Sequence, residues 1–229
     1  MGTWLEIKTP VIVLNEKAYV ESAGTKGFEL AQICEEVATE QEVSIVICPQ
    51  QVDLAKIASS VSIPCFAQHA EAVEPGSHTG FVTLESVKEA GAMGTLVNHS
   101  EHRLKIADID FIINKAASLN LLTIVCTNNI AVSTAVAELK PYAVAVEPPE
   151  LIGTGRSVSK VDPAIVEDTV KAVKRIDEKC VVLCGAGVTN GEDVRAALDL
   201  GADGVLLASG VVKAKDPKTV LIDLAAGLQ

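Results

Sequence analysis

Aromatic side chains are scarce: four Phe, two Tyr and one Trp make up 3% of 229 residues. Any core must therefore be filled by aliphatic and small side chains, which supply most of the 48% hydrophobic content. That share argues against an intrinsically disordered chain, which would lack material for a core. Positive charge is also in deficit, with 19 Lys and Arg against 30 Asp and Glu and a net charge of −11. This balance argues against a nucleic-acid partner, whose footprint on a protein is a basic face or stripe. It leaves room for a small anionic metabolite, because a few backbone N–H groups and one Lys hold a phosphate locally. Long apolar runs are missing too. Pro10–Leu14 and Gly204–Ala208 fall far short of the ~20 residues a membrane span needs. No basic segment followed by an apolar one opens the sequence, so no secretory signal is expected. Together these absences imply a soluble, cytoplasmic protein. Cys34, Cys48, Cys65, Cys126, Cys180 and Cys184 include no Cys-x-x-Cys pair and lie mostly inside apolar runs. They read as buried, reduced thiols, and with only four His the spacing for a metal site is lacking.

Short Val/Ile/Leu runs recur along the chain. They are Val11–Asn15, Val43–Cys48, Cys65–Gln68, Thr95–Asn98, Leu122–Thr127, Tyr142–Glu147, Val181–Gly185 and Gly204–Ala208. None alternates with polar residues, as expected of parallel strands buried on both faces. The segments between them carry helical periodicity. Lys26–Thr39 places Phe28, Leu30, Ala31, Ile33, Cys34, Val37 and Ala38 on one stripe, and Ala164–Ile176 does the same with Ile165, Val166, Val170 and Val173. Eight β-α units in this length predict an α/β fold, a closed (β/α)8 TIM barrel in a compact version with reduced helical cover. A doubly wound open sheet is the competing architecture. No linker or charge run divides the chain, so residues 1–229 are read as one domain.

Barrel sites are built where strands end at their C-terminal side. There the sequence offers Asn15-Glu16-Lys17, Gln68-His69, Asn98-His99-Ser100-Glu101, Thr127-Asn128-Asn129, Glu147-Pro148-Pro149-Glu150, Gly185-Ala186-Gly187 and Ser209-Gly210. This set joins a proton-transfer kit to an anion cradle. The turns after strands 7 and 8 can bring backbone N–H groups to a phosphate. Glu147 precedes a segment stiffened by Pro148-Pro149 and freed by Gly153 and Gly155, the composition of a lid, which suits a general base. Ser100-Glu101 reads as the start of a helical turn that would keep His99 neutral, and His69 and His78 are assigned to structure and His102 to the surface. Lys17 lies two residues beyond Leu14-Asn15 on the same face as Asn15, aimed at the barrel mouth, where an unpaired ammonium has no cheap structural role.

On these residues the sequence resembles the triosephosphate isomerase family in its short archaeal form. The matching stretches are Asn15-x-Lys17, Asn98-His99-Ser100-Glu101, Cys126, Ala145–Gly155, Cys184–Gly187 and Leu206–Gly210, spanning nearly the whole chain. The resemblance implies interconversion of dihydroxyacetone phosphate and glyceraldehyde 3-phosphate, with no metal or organic cofactor. It makes Glu147 the base, His99 a neutral electrophile and Lys17 the cation that stabilises the enediolate. It also places Asn15, Lys17, Ile152, Gly187, Ala208 and Ser209 on the substrate. A Glu base beside a neutral His is an established property of this family rather than a new expectation. The family forms dimers through its third loop, here Glu74–Phe81, and its archaeal members assemble further, so a homotetramer is favoured over a dimer.

Glu16 departs from the family pattern, which has an aromatic or aliphatic residue between Asn15 and Lys17. Strand alternation turns Glu16 toward the helices, where a carboxylate is buried or must find a partner, so Glu16→Phe is expected to raise the thermal midpoint. Two other readings remain. One is another phosphate-binding barrel enzyme, such as a tryptophan- or thiamin-pathway synthase. The other is a non-catalytic sugar-phosphate-binding barrel.

Overall fold

A computed structural model describes residues 7–148 and 157–229. Eight strands form its centre: β1 (Val11–Asn15), β2 (Ser44–Cys48), β3 (Phe66–Ala67), β4 (Gly94–Val97), β5 (Leu122–Thr127), β6 (Ala143–Val146), β7 (Val181–Gly185) and β8 (Gly204–Leu207). Every pairing is parallel, in the order β2-β1-β8-β7-β6-β5-β4-β3. A single parallel bridge between Ile47 and Cys65 joins the two ends, with the Ile47 N–H donating to Pro64 O at 3.0 Å. The sheet is therefore a barrel, not an open doubly wound sheet.

The lack of alternation seen in the sequence has its reason in two apolar layers. Val11 and Val13 of β1 turn inward with Val46, Phe66, Leu96, Ile124, Leu183 and Leu206, while Ile12 and Leu14 turn outward against the helices. Phe66 is the sole aromatic ring fully buried inside the ring of strands among the described residues. Aliphatic and small side chains fill the rest, as the shortage of aromatics requires.

The outer layer comprises α1 (Thr25–Glu40), α2 (Leu54–Ala58), α3 (Leu84–Glu89), α4 (Ile106–Ser118), α5 (Ile130–Ala137), α6 (Val158–Val161), α7 (Pro163–Ile176), α8 (Gly191–Asp199), α9 (Ser209–Val212) and α10 (Pro217–Ala226). Their starts are encoded locally. Asn129 and Asn190 accept the backbone N–H groups of Val132 (2.9 Å) and Asp193 (3.0 Å), and Asp216 caps α10 just before Pro217. α2 and α3 have only five and six residues, so the helical cover is thin on that side.

Three details differ from the sequence reading. β3 is two residues long rather than four: Cys65 makes only an isolated bridge to Ile47, and Gln68 leaves the ladder and spends its side-chain amide on neighbouring carbonyls. Ser100-Glu101 forms a plain turn, and α4 begins only at Ile106. His78 is exposed rather than structural, stacked on Phe81 at 5.5 Å between ring centres.

Candidate active site

At the C-terminal rim of the barrel, one cavity of about 180 Å³ is lined by Asn15, Lys17, His99, Glu147, Gly187, Ala208 and Ser209. These are seven of the eight residues the sequence singles out. The eighth, Ile152, and the segment 149–156 lie outside the described residues. A larger hollow of about 730 Å³ opens at the opposite rim, beneath β5, β6 and β7. In this architecture that rim serves stability rather than chemistry.

Lys17 is held by three contacts. Asn15 Oδ1 accepts its backbone N–H at 2.9 Å, which bends the chain into the left-handed region at Lys17 (φ +50°). Gln68 Nε2 donates to the carbonyls of both Lys17 and Cys48 at 3.0 Å, tying the ends of β1 and β2 together. At its tip, Lys17 Nζ meets Glu101 Oε1 at 2.9 Å. The Lys17 side chain is 11% exposed and Glu101 is 59% exposed, so this pair is half in solvent and weak enough for a bound anion to displace.

His99 follows Asn98, itself left-handed at φ +59°. Asn98 is pinned from both ends of its amide, donating to Cys126 O and accepting from the Leu104 N–H, each at 2.9 Å. The Glu101 backbone N–H donates to His99 Nδ1 at 3.2 Å. Nδ1 therefore acts as an acceptor, and the ring's proton belongs on Nε2, which faces Glu147 Oε2 at 3.7 Å. Burial pushes the imidazole below its usual value of 6.5; the nearby Glu147 charge opposes this, and Lys17 reinforces it. The downward shift thus comes first from burial, with Lys17 and Arg103 adding to it and the Glu147 and Glu101 carboxylates opposing it, not from a helix end, since no helix starts there. Nitrogen-15 NMR should show His99 as the Nε2–H tautomer throughout pH 6.5–8; a signal for a doubly protonated ring in that range would contradict this assignment.

Glu147 is 5% exposed at the end of β6. Its Oε2 has no hydrogen-bond partner among the described residues. The Cys126 thiol, raised well above 9.0 by burial, by the Glu147 charge and by a hydrogen bond to Glu147, stays protonated against this carboxyl group. Gly185 lies so close that a Cβ there would be 2.9 Å from Glu147 Cδ. Beyond it, Ala186 (φ +68°) and Gly187 (φ +74°) form a left-handed turn of the kind that concentrates backbone N–H groups. Asp193 braces the same loop, accepting the N–H (2.9 Å) and hydroxyl (3.1 Å) of Thr189.

A buried carboxyl group, an imidazole, an ammonium and a left-handed turn thus share one small cavity. The triosephosphate isomerase family model matches residues 10–226. The chain belongs to the triosephosphate isomerase family. Curated relatives named triosephosphate isomerase include that of Methanocaldococcus jannaschii, 56% identical over 214 residues, covering 93% of this chain and 98% of the relative. That of Methanobrevibacter smithii is 51% identical over 222 residues, covering 97% and 100%. That of Methanopyrus kandleri is 50% identical over 225 residues, covering 97% and 100%. The chain is an isomerase, and no helix among the described residues is long and apolar enough to cross a membrane.

Sequence reasoning within this triosephosphate isomerase frame missed several contributors. Gln68 and Glu101 both appear at strand ends in the sequence, yet only the folded chain shows that they hold opposite ends of Lys17. Tyr19 and Thr189 line the cavity without any signal in their local sequence. Gly185 belongs to a turn that reads as phosphate-binding, but its missing side chain makes room for Glu147.

Proposed function

We propose that this single-domain chain interconverts dihydroxyacetone phosphate and D-glyceraldehyde 3-phosphate through an enediolate, in glycolysis or gluconeogenesis. One observation carries the reading: a buried carboxylate oxygen with no hydrogen-bond partner among the described residues, Glu147 Oε2, faces His99 Nε2 at 3.7 Å inside the cavity that also holds Lys17. Glu147 takes a proton from C1 of the ketone, and the electron pair of that C–H bond becomes the enediolate double bond as charge moves onto the C2 oxygen. His99 Nε2–H and Lys17 Nζ donate to that oxygen where the charge grows, the effect that usually contributes most to such a step. Returning the proton from Glu147 to C2, with the oxygens' protons shuttled by His99, gives the aldehyde. Asn15 and Lys17 hold the triose, and Gly187, Ala208, Ser209 and Ile152 contact the phosphate. Proton transfer between adjacent carbons is acid–base chemistry, so the reading assigns no cofactor.

The same reading makes the protein a cytoplasmic homo-oligomer, a tetramer before a dimer. Exposed Val52, Phe81 and Ile106 are in keeping with that, because association would cover them. The test is an assay of glyceraldehyde 3-phosphate conversion, coupled to consumption of dihydroxyacetone phosphate. Turnover is expected. A wild-type protein that binds a triose-phosphate analogue without turnover would replace this reading with a non-catalytic binding protein.

A further inference from the structure

Strand alternation sends Asn15 and Lys17 into the cavity and Glu16 the other way, under the helices. Glu16 is fully buried. Among the described residues it is the only carboxyl group with both oxygens buried and without a hydrogen bond of good geometry. Its backbone is fixed on both sides, with its N–H donating to Cys48 O at 3.1 Å and its carbonyl accepting from Ser22 Oγ at 2.9 Å. Gly27 on α1 closes over it, since a Cβ there would lie 3.1 Å from Oε2.

The groups that face this carboxyl are Cys34 from α1, Cys48 from β2, Cys65 from the approach to β3, Asp53 from the approach to α2, and the Gln50 backbone N–H. None is a cation. The ammonium of Lys17, next in sequence, is engaged with Glu101. A charge in such surroundings has only the Gln50 N–H to offset its lost hydration, so the neutral acid is the form that fits the fold. Burial pushes the carboxyl from 4.5 up to about 8, with the Gln50 N–H pulling it down and Asp53 pushing it up. Burial also holds the three thiols protonated far above their ordinary range, leaving them silent between pH 5 and 9.

We infer that Glu16 is a positioning residue for Lys17, keeping the turn at residues 15–17 in place only as the protonated acid. The inference rests on the reading of Lys17 as a substrate-binding cation. Loss of the Glu16 proton leaves a carboxylate with only weak thiol donors and one backbone N–H around it and Asp53 opposing it, so the segment opens toward water. That opening pulls on the adjacent residue. Lys17 keeps its left-handed backbone through single bonds to Asn15 and Gln68, and its ammonium is displaced with them.

Both stability and binding then depend on pH in a fixed direction. The folded value lies above the unfolded one, so the Glu16 contribution to stability is complete below about pH 4.5 and is lost as pH rises to about 8. Further ionisation in the folded chain weakens substrate binding above that pH.

The experiment compares the wild type with Glu16→Gln and Glu16→Leu, following the thermal midpoint from pH 5 to 9 and KM and kcat from pH 6.5 to 9.5. In the wild type the midpoint should fall through pH 5–8, and KM should rise by about tenfold per pH unit once the group ionises. Both variants should flatten the midpoint slope and abolish the rise in KM. If the variants keep the wild-type KM profile, the positioning role is overturned even where the midpoint slope flattens. Parallel midpoint slopes in all three proteins would overturn the buried neutral acid itself. A Lys17→Met control separates the underlying reading, because an unchanged KM at pH 7 would remove Lys17 from binding while leaving the midpoint comparison intact.

Discussion

Replacing Glu147 with Gln is expected to lower kcat by about 10²–10⁴-fold, the range a positioned general base supplies. Gln has the size and shape of Glu, so it can keep the seat between Cys126 and Gly185 and still accept from the Cys126 thiol through its amide oxygen. What it loses is the ability to take a proton from carbon. The wild-type Oε2 has no partner to lose among the described residues, so the thermal midpoint should move little. Binding of a triose-phosphate analogue should persist, because Lys17, Asn15 and the turn at Ala186-Gly187 are untouched. The coupled assay gives kcat, and calorimetry with the analogue gives binding. A variant within tenfold of the wild-type kcat would remove Glu147 from the proton transfer.

The fold was legible because the barrel repeats one pattern eight times. β1, β5 and β7 fall on the apolar runs that announce them, since both faces of each strand are buried and no charged residue interrupts them. β3 was legible only in part. Its last residue depends on whether Gln68 joins the ladder or bridges the ends of β1 and β2, which local sequence does not decide. The site residues could be picked out for a similar reason: polar residues just beyond apolar runs stand out, and the architecture says on which rim they gather. Causes were harder to read than positions. His99 was expected to be neutral through a helix end, whereas burial is the main cause and the nearby Lys17 and Arg103 charges add to it. Glu16 shows the opposite balance, with its direction following from strand alternation while the lack, among the described residues, of a well-formed hydrogen bond required the packed helices.

Gly185→Ala carries the second large effect, one that the sequence disguises. This glycine sits at the end of β7 with its backbone outside the left-handed region, so an alanine can adopt the same conformation. The obstacle is Glu147. The new methyl carbon would overlap Glu147 Cγ and lie 2.9 Å from Cδ, closer than such atoms approach, with Oε1 at a tight 3.0 Å. β7 is fixed by its pairing with β8 through Gly185 and Leu206, so the carboxylate side chain has to move instead. A shift of about 1 Å at the reacting group costs about 10²-fold in rate, and the crowding itself should cost about 1–3 kcal/mol of stability. The substrate should still bind, since Gly187, Ala208 and Ser209 keep their places. Combining this change with Glu147→Gln distinguishes the two roles open to the glycine. If Gly185 serves by seating the base, adding the alanine to Glu147→Gln should lower kcat by far less than it does in the wild type, because neighbouring residues acting through one group are not additive. If it serves the phosphate instead, the double variant should lose the full factor again and KM should rise with it.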